Sequence, residues 1–162
     1  MACGTIEPRK NHETLYRAYL LALASGGKDV PQLVICGKPS GRTEDLVDTL
    51  RRDPRLAGNV LLLQPTDRQL AALYKYCRFT VLPSVYEGWS LTLPESLESG
   101  KFCIASDCAP LREIGRDLIA YVAPYDARGW ADAILRFSRD TDELQRRESR
   151  IAAEWKSIRW QD

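Results

Sequence analysis

Tyr86-Glu87-Gly88-Trp89-Ser90-Leu91-Thr92-Leu93-Pro94-Glu95-Ser96-Leu97 follows directly on the strand-like run Phe79-Thr80-Val81-Leu82. A strand, a glycine and a helix start, in that order, place free backbone N–H groups and a positive dipole end where a phosphate can sit. Glu87 and Glu95 add acceptors suited to ribose or sugar hydroxyls. With Glu87 in the loop and Glu95 on the following helix, both can line a cleft at the carboxyl end of a sheet, with the N–H groups of Gly88 to Leu91 between them. The stretch reads as a pocket for a nucleotide sugar. It reads equally as a glutamate at a helix start beside a second one on a solvated face, and a short motif alone does not separate the two.

Outward from this turn, short apolar runs alternate with helical patterns. The strand candidates are Cys3–Ile6, Gln32–Cys36, Val60–Leu63, Phe79–Leu82, Phe102–Ala105 and Ala120–Val122. Each is short, largely apolar and closed by Gly, Pro, Ser or Asp, as expected for strands buried on both faces of a parallel sheet. Between them lie apolar stripes at helical spacing: Leu15, Ala18, Tyr19 and Ala22; Leu46, Val47 and Leu50; Leu70, Leu73 and Tyr74. Asn11 is placed to cap the first helix and Gly26-Gly27 to end it, Thr66-Asp67 to start the third, and Gly100 to close the fourth. This alternation predicts an α/β fold: a Rossmann-like doubly wound parallel sheet of about six strands with helices on both faces. From Ala127 to residue 162 the pattern is helix upon helix, a C-terminal helical tail with Trp130, Ile134 and Phe137 on one face and Leu144, Ile151 and Trp155 along another.

The 162 residues suffice for one domain with a real core. With 23 basic against 22 acidic side chains, the surface lacks the positive excess of a general nucleic-acid or membrane binder, so no nucleic-acid partner is expected. Five cysteines, with no Cys-x-x-Cys pair, fit neither a zinc site nor a disulfide framework and point to a reducing, cytoplasmic compartment. No secretory segment or membrane-spanning run is present, although a parent protein could work at the cytoplasmic face of a membrane. The first strand candidate begins almost at Met1, which is expected of a piece of a longer protein.

Two further strand-to-helix turns carry glycine: the first is a second phosphate-reading arrangement, and the second could line the same cleft edge. Gly4-Thr5-Ile6-Glu7-Pro8-Arg9-Lys10-Asn11-His12 carries a planar fork and a point charge side by side, a pair suited to neutralising a departing diphosphate; it also reads as an exposed basic turn. Cys36-Gly37-Lys38-Pro39-Ser40-Gly41 lacks the order of a P-loop, and Gly4 opens no dinucleotide fingerprint, so ATPase and NAD readings fall away. A backbone-spacing role suits that loop better. His12, the only histidine, could orient a phosphate or act as a local packing group. Ser106-Asp107 and Glu113 could reach the cleft, though Ser-Asp after a strand is also ordinary turn chemistry. No catalytic triad and no metal-ligand cluster can be assembled.

The run from Glu87 to Leu97 resembles the E-x7-E signature of glycosyltransferase family 4. Pro83-Ser84, the loop Gly4–Asn11, Ile104–Asp107, Pro110–Ile114 and Tyr121–Asp126 match other stations of that family in order, so the resemblance covers nearly the whole chain. It implies the C-terminal, donor-binding half of a GT-B enzyme that transfers a sugar from a nucleotide donor with retention and without a metal or other cofactor. By position, Glu87 would hydrogen-bond the donor sugar and the amides of Gly88, Trp89 and Ser90, with Leu91, would hold sugar and phosphate. Glu95 would bind the ribose, Gly4 and Thr5 would line the donor site, and Lys10 with Arg9 would stabilise the leaving diphosphate.

Thr5 stands where the family has an arginine, so Arg9 must supply that charge. Trp89 and Ser90 replace the usual Phe and Gly. The Arg-Lys-Asn loop resembles bacterial mannosyltransferases of cell-surface polysaccharide, which favours GDP-mannose over a UDP-sugar. A glycan or lipid-linked acceptor would bind through an N-terminal half that is absent here, and the fragment alone is expected to bind nucleotide weakly and transfer little. Alternatives are a non-catalytic nucleotide-sugar-binding module or a UDP-sugar epimerase, the latter poorly served by a single histidine.

Overall fold

The structure, a computed structural model, describes residues 1–56 and 58–157. The six apolar runs form six parallel strands: β1 (Ala2–Cys3), β2 (Leu33–Cys36), β3 (Val60–Leu63), β4 (Thr80–Leu82), β5 (Cys103–Ser106) and β6 (Ala120–Val122). They pair as two three-stranded sheets, β1-β2-β3 and β4-β5-β6. Ala2 lies opposite Ile35, Leu33 opposite Val60, Thr80 opposite Cys103 and Ile104 opposite Ala120. Met1 joins the two sheets edge to edge. Its nitrogen donates to the Phe79 carbonyl at 2.8 Å, and Val81 N donates back to the Met1 carbonyl at 2.8 Å, the alternation of a parallel ladder. The strand order across the molecule is therefore β3-β2-β1-β4-β5-β6, the doubly wound arrangement with its reversal between β1 and β4.

The helices are α1 (His12–Gly26), α2 (Glu44–Arg52), α3 (Asp67–Tyr76), α4 (Thr92–Glu98), α5 (Ala109–Gly115), α6 (Ala127–Arg139) and α7 (Thr141–Glu154). Alternate residues of β2 divide between two apolar clusters. Leu33 and Ile35 join the main core with Leu15, Ala18, Tyr19, Val47 and Leu50. Val34 and Cys36 meet Leu70, Leu73 and Tyr74 of α3 on the other face. Period two along the strand and period 3.6 along the helices thus meet as predicted. Trp130 of α6 is wholly buried and its indole N–H donates to the Ala123 carbonyl at 3.1 Å, which satisfies its one polar atom. Ile134, Phe137, Leu144 and Ile151 complete the core from the tail, with Trp155 half-buried against it. The end of the predicted tail, residues 158–162, lies outside the described residues.

Four strands match their expected bounds or begin or end one residue away, β5 is shifted by one residue at both ends, and one boundary differs by more. The first strand stops at Cys3 instead of running to Ile6. Gly4 takes φ +124 and leaves the ladder, although its N–H still donates to Cys36 O at 2.9 Å. Ile6 then forms a lone parallel bridge to Pro39, with Ile6 N donating to Lys38 O and Ser40 N donating to Ile6 O, both at 2.9 Å.

Candidate functional site

The strands β1 and β4 are neighbours, so the loops that follow them meet at one point above the sheet. After Cys3 the chain runs through Gly4–Ile6 beside the loop 37–40. A Cβ on Gly37 would stand 2.0 Å from the Gly4 carbonyl oxygen, so only glycine permits this approach. The spacing role expected of the 36–41 loop is this contact. Pro8–Lys10 then form one tight turn, closed by Lys10 N to Glu7 O and Asn11 N to Pro8 O, both 3.0 Å.

That turn carries its two cations onto a single carboxylate. Lys10 Nζ lies 2.6 Å from Glu87 Oε1, and an Arg9 guanidinium nitrogen lies 2.8 Å from Glu87 Oε2. Ser84 Oγ donates to Glu87 Oε1 at 2.6 Å. The other arm of the Arg9 fork holds Glu7 at 2.7 Å. Glu87 and Lys10 are buried, 3% and 7% exposed. Burial pushes the Glu87 carboxyl up, but hydrogen bonds from Lys10 and Ser84, the Lys10 charge and Arg9 together hold it below the ordinary range. A Cβ at Gly4 would only touch Lys10 Cε at an ordinary 3.5 Å, so it is the φ of +124 and not crowding that calls for glycine here.

Asn11 fastens this assembly. Its backbone is left-handed at φ +55. Its amide does not cap α1 as expected; it donates to Pro83 O at 3.0 Å and Pro124 O at 2.7 Å. Val85 N in turn donates to Arg9 O at 2.8 Å. The loops after β1, β4 and β6 are thereby tied together.

Gly88, next to Glu87, opens outward: nothing lies within 4 Å of where a Cβ would stand. Tyr86, Trp89 and Leu91 are exposed around it, whereas Ser90 is buried and its hydroxyl accepts from Leu93 N at 3.4 Å. Glu95 is exposed on α4 and accepts from the buried Tyr74 hydroxyl at 3.0 Å. Burial drives the Tyr74 hydroxyl pKa far up, so it stays a donor to that carboxylate. The helix itself has only seven residues, so Arg9 and Lys10, more than a helix dipole, are the positive charge at this corner.

The structure therefore gathers Gly4, Arg9, Lys10, Glu87 and Gly88 at one spot, with Ser90, Leu91 and Glu95 on the continuing segment and Thr5 exposed at the loop above β1. Asp107 pairs with Arg112 at 2.8 Å and Glu113 is exposed. Ser106 Oγ is buried without a partner. His12 is buried with Nδ1 unpartnered; burial, and then the Lys10 charge, push its pKa down to about 4. Tyr74 and Ser84 carried no site role in the sequence reading. Ser84 was legible as a hydroxyl three positions before Glu87, but Tyr74 had only the signal of an apolar stripe. Among the described residues no group of His, Cys, Asp or Glu could hold a metal ion. A groove of about 690 Å³ lies elsewhere, lined by Met1, Leu33, Leu73, Tyr76 and Phe79.

A parallel doubly wound sheet whose strand order reverses beside the Arg9, Lys10 and Glu87 cluster is a Rossmann-like α/β domain of the kind that forms half of a GT-B fold. Residues 1–155 match the family model of glycosyl transferases group 1, and the chain belongs to that family. It is 28% identical over 159 residues to the O-antigen chain mannosyltransferase B of Escherichia coli, covering 98% of this chain and 42% of that protein. It is also 28% identical over 148 residues to the serotype-specific mannosyltransferase WbdA of Escherichia coli, covering 90% of this chain and 16% of that one. Among solved structures, the catalytic domain of the cholesterol-alpha-glucosyltransferase of Helicobacter pylori superposes with TM-score 0.78 at 18% identity, covering 94% of both chains. TarM of S. aureus, solved with UDP, superposes with TM-score 0.78 at 19% identity over 96% of this chain and 32% of its own. The chain thus spans less than half the length of the curated relatives it matches. No helix among the described residues is long and apolar enough to cross a membrane.

Proposed function

We propose that this chain is the donor-binding half of a retaining mannosyltransferase that takes GDP-mannose and passes the sugar to a glycan or lipid-linked acceptor held by a second half. The observation that carries this reading is the convergence of Arg9 and Lys10, at 2.8 and 2.6 Å, on one carboxylate beside the open turn at Gly88. Two cations side by side suit a diphosphate leaving group, whose negative charge grows as the bond from the anomeric carbon to the phosphate oxygen breaks. Arg9 and Lys10 stabilise that charge, so the transfer needs no metal. The amides of Gly88, Trp89 and Ser90 hold sugar and phosphate, Leu91 borders them, Glu87 accepts from a sugar hydroxyl, and Glu95, steadied by Tyr74, accepts from the ribose. Gly4 and Thr5 line the opposite wall. The mannosyltransferase names of two relatives support the choice of sugar. Five free cysteines support a cytoplasmic setting, soluble or at the membrane's inner face.

Calorimetric titration of the chain with GDP, UDP, GDP-mannose and UDP-glucose tests this. Guanine ligands should bind, and Glu95→Ala should weaken them about tenfold, the worth of one good hydrogen bond to a hydroxyl. In the protein carrying both halves, Lys10→Ala should slow transfer by on the order of a hundredfold. Tighter binding of UDP-glucose than of GDP-mannose would reject the donor, and no nucleotide binding at all would reject the site.

A further inference from the structure

We propose that Glu87 is the internal counter-anion of the diphosphate site, held there by Ser84, and that the incoming donor displaces it from Arg9 and Lys10. The inference rests on the donor-site reading above and deepens it to how the site tells donor from spent nucleotide.

Four charges meet here: Arg9 and Lys10 against Glu7 and Glu87. Their formal sum is zero, so a diphosphate approaching this corner meets cations that are already neutralised. Both oxygens of Glu87 are engaged, Oε1 by Lys10 and Ser84 and Oε2 by Arg9. A carboxylate with two cations 2.6 and 2.8 Å away takes up, on each of them, one hydrogen-bonding position that a phosphate oxygen would use. Lys10 Nζ and the Arg9 guanidinium carry more N–H groups than Glu87 takes up, so what opposes sharing is charge: a diphosphate left beside an unmoved Glu87 would face a buried like charge. Exchange is the outcome that pairs every group. The open space at Gly88 lies next to Glu87 along the chain, at the turn whose amides the donor-site reading assigns to sugar and phosphate.

The exchange discriminates. A donor that brings a sugar offers hydroxyls to the displaced carboxylate, so its charge is satisfied again. A nucleoside diphosphate without the sugar displaces Glu87 and leaves it without those donors, a loss for a buried acceptor. Glu87 therefore favours the donor over the product and competes with the product for Arg9 and Lys10, which speeds its departure. Ser84 is a positioning residue: it touches no ligand and sets how firmly Glu87 holds its place.

Inorganic pyrophosphate is the probe, because it reads the cations without base, ribose or sugar. Its affinity should rise about tenfold in Glu87→Gln and several-fold in Ser84→Ala. The ratio of donor to nucleoside diphosphate affinity should fall in both. A purely structural role for Glu87 or Ser84 would weaken all ligands together and leave that ratio unchanged. Unchanged or weaker pyrophosphate binding in a folded Glu87→Gln, with nucleotide binding intact, overturns the counter-anion while the donor site stands. Tighter pyrophosphate binding in a chain that binds no nucleotide leaves the counter-anion standing and removes the donor reading. If Glu87→Gln fails to fold, Ser84→Ala decides alone: no gain in pyrophosphate affinity overturns the proposal.

Discussion

Asn11 holds three loops with one side chain, and it does so in a backbone conformation that few residues accept. Its left-handed φ of +55 aims the amide at two carbonyls at once, Pro83 and Pro124. Glycine would relax the backbone but strand both acceptors, so Asn11→Gly should lower stability by about 1–3 kcal/mol in denaturant melts. Nucleotide affinity should fall with it, because Arg9 and Lys10 precede Asn11 in the same turn. His12, the next residue, sets a pH dependence. Its folded pKa of about 4 lies below its ordinary 6.5, so the unfolded chain binds the proton more tightly. Stability from this group is complete above about pH 6.5 and is lost as pH falls toward 4, to a limit of roughly 3 kcal/mol. Urea melts between pH 7 and 5 should show a slope in the native chain that His12→Gln flattens; parallel slopes would mean that other groups carry it. The role of Asn11 was not legible in sequence, since a loop asparagine reads first as a cap; packing was one of two readings of His12, and a lone histidine has no pattern to choose between them.

At the scale of elements, caps and breakers behaved as local chemistry dictates where nothing else competed. Thr66 and Gln69 form a reciprocal capping box at the start of α3, because both partners lie within four residues of each other. Gly100 takes φ +70 just after α4 ends. Asn11 is the exception because distant carbonyls claimed its amide. Gly37 shows an element-level constraint that spacing only hinted at: the loops after β1 and β2 pack backbone to backbone. Gly37→Ala would drive a methyl into the Gly4 carbonyl at 2.0 Å and must part the two loops. It should cost more than about 2 kcal/mol by chemical denaturation, and it should weaken pyrophosphate binding through displacement of Gly4 beneath the Lys10 stem. Full stability in that variant would show that the loops separate freely.

Across the whole molecule, β1 with its two residues is the hinge of the design. It pairs with β2 on one side, and Met1 bonds to Phe79 and Val81 on the other. One apolar cluster runs through both sheets, from Leu33 and Val47 to Ile104, Trp130 and Ile151. A shared core of this kind should melt as one unit, so circular dichroism and tryptophan fluorescence should give coincident denaturant transitions. Two resolved transitions would mean that the sheets fold apart. Trp130→Ala, at a wholly buried position, should lower stability by about 3–5 kcal/mol while leaving the transition single.

What the amino-acid order determined by itself was everything governed by near neighbours: six apolar runs, the helical stripes between them, the glycine turns and the placement of Glu87 and Glu95 on successive segments. These follow from periodicity and propensity, which act over a few residues. Tertiary structure alone decided which loops meet. It set Lys10 against Glu87 across 77 positions, Asn11 against Pro124 across 113, and Tyr74 under Glu95. The physical reason is that hydrogen bonds and ion pairs are short-ranged in space and blind to distance along the chain, so the partners of a charge exist only once the strand order has been laid down.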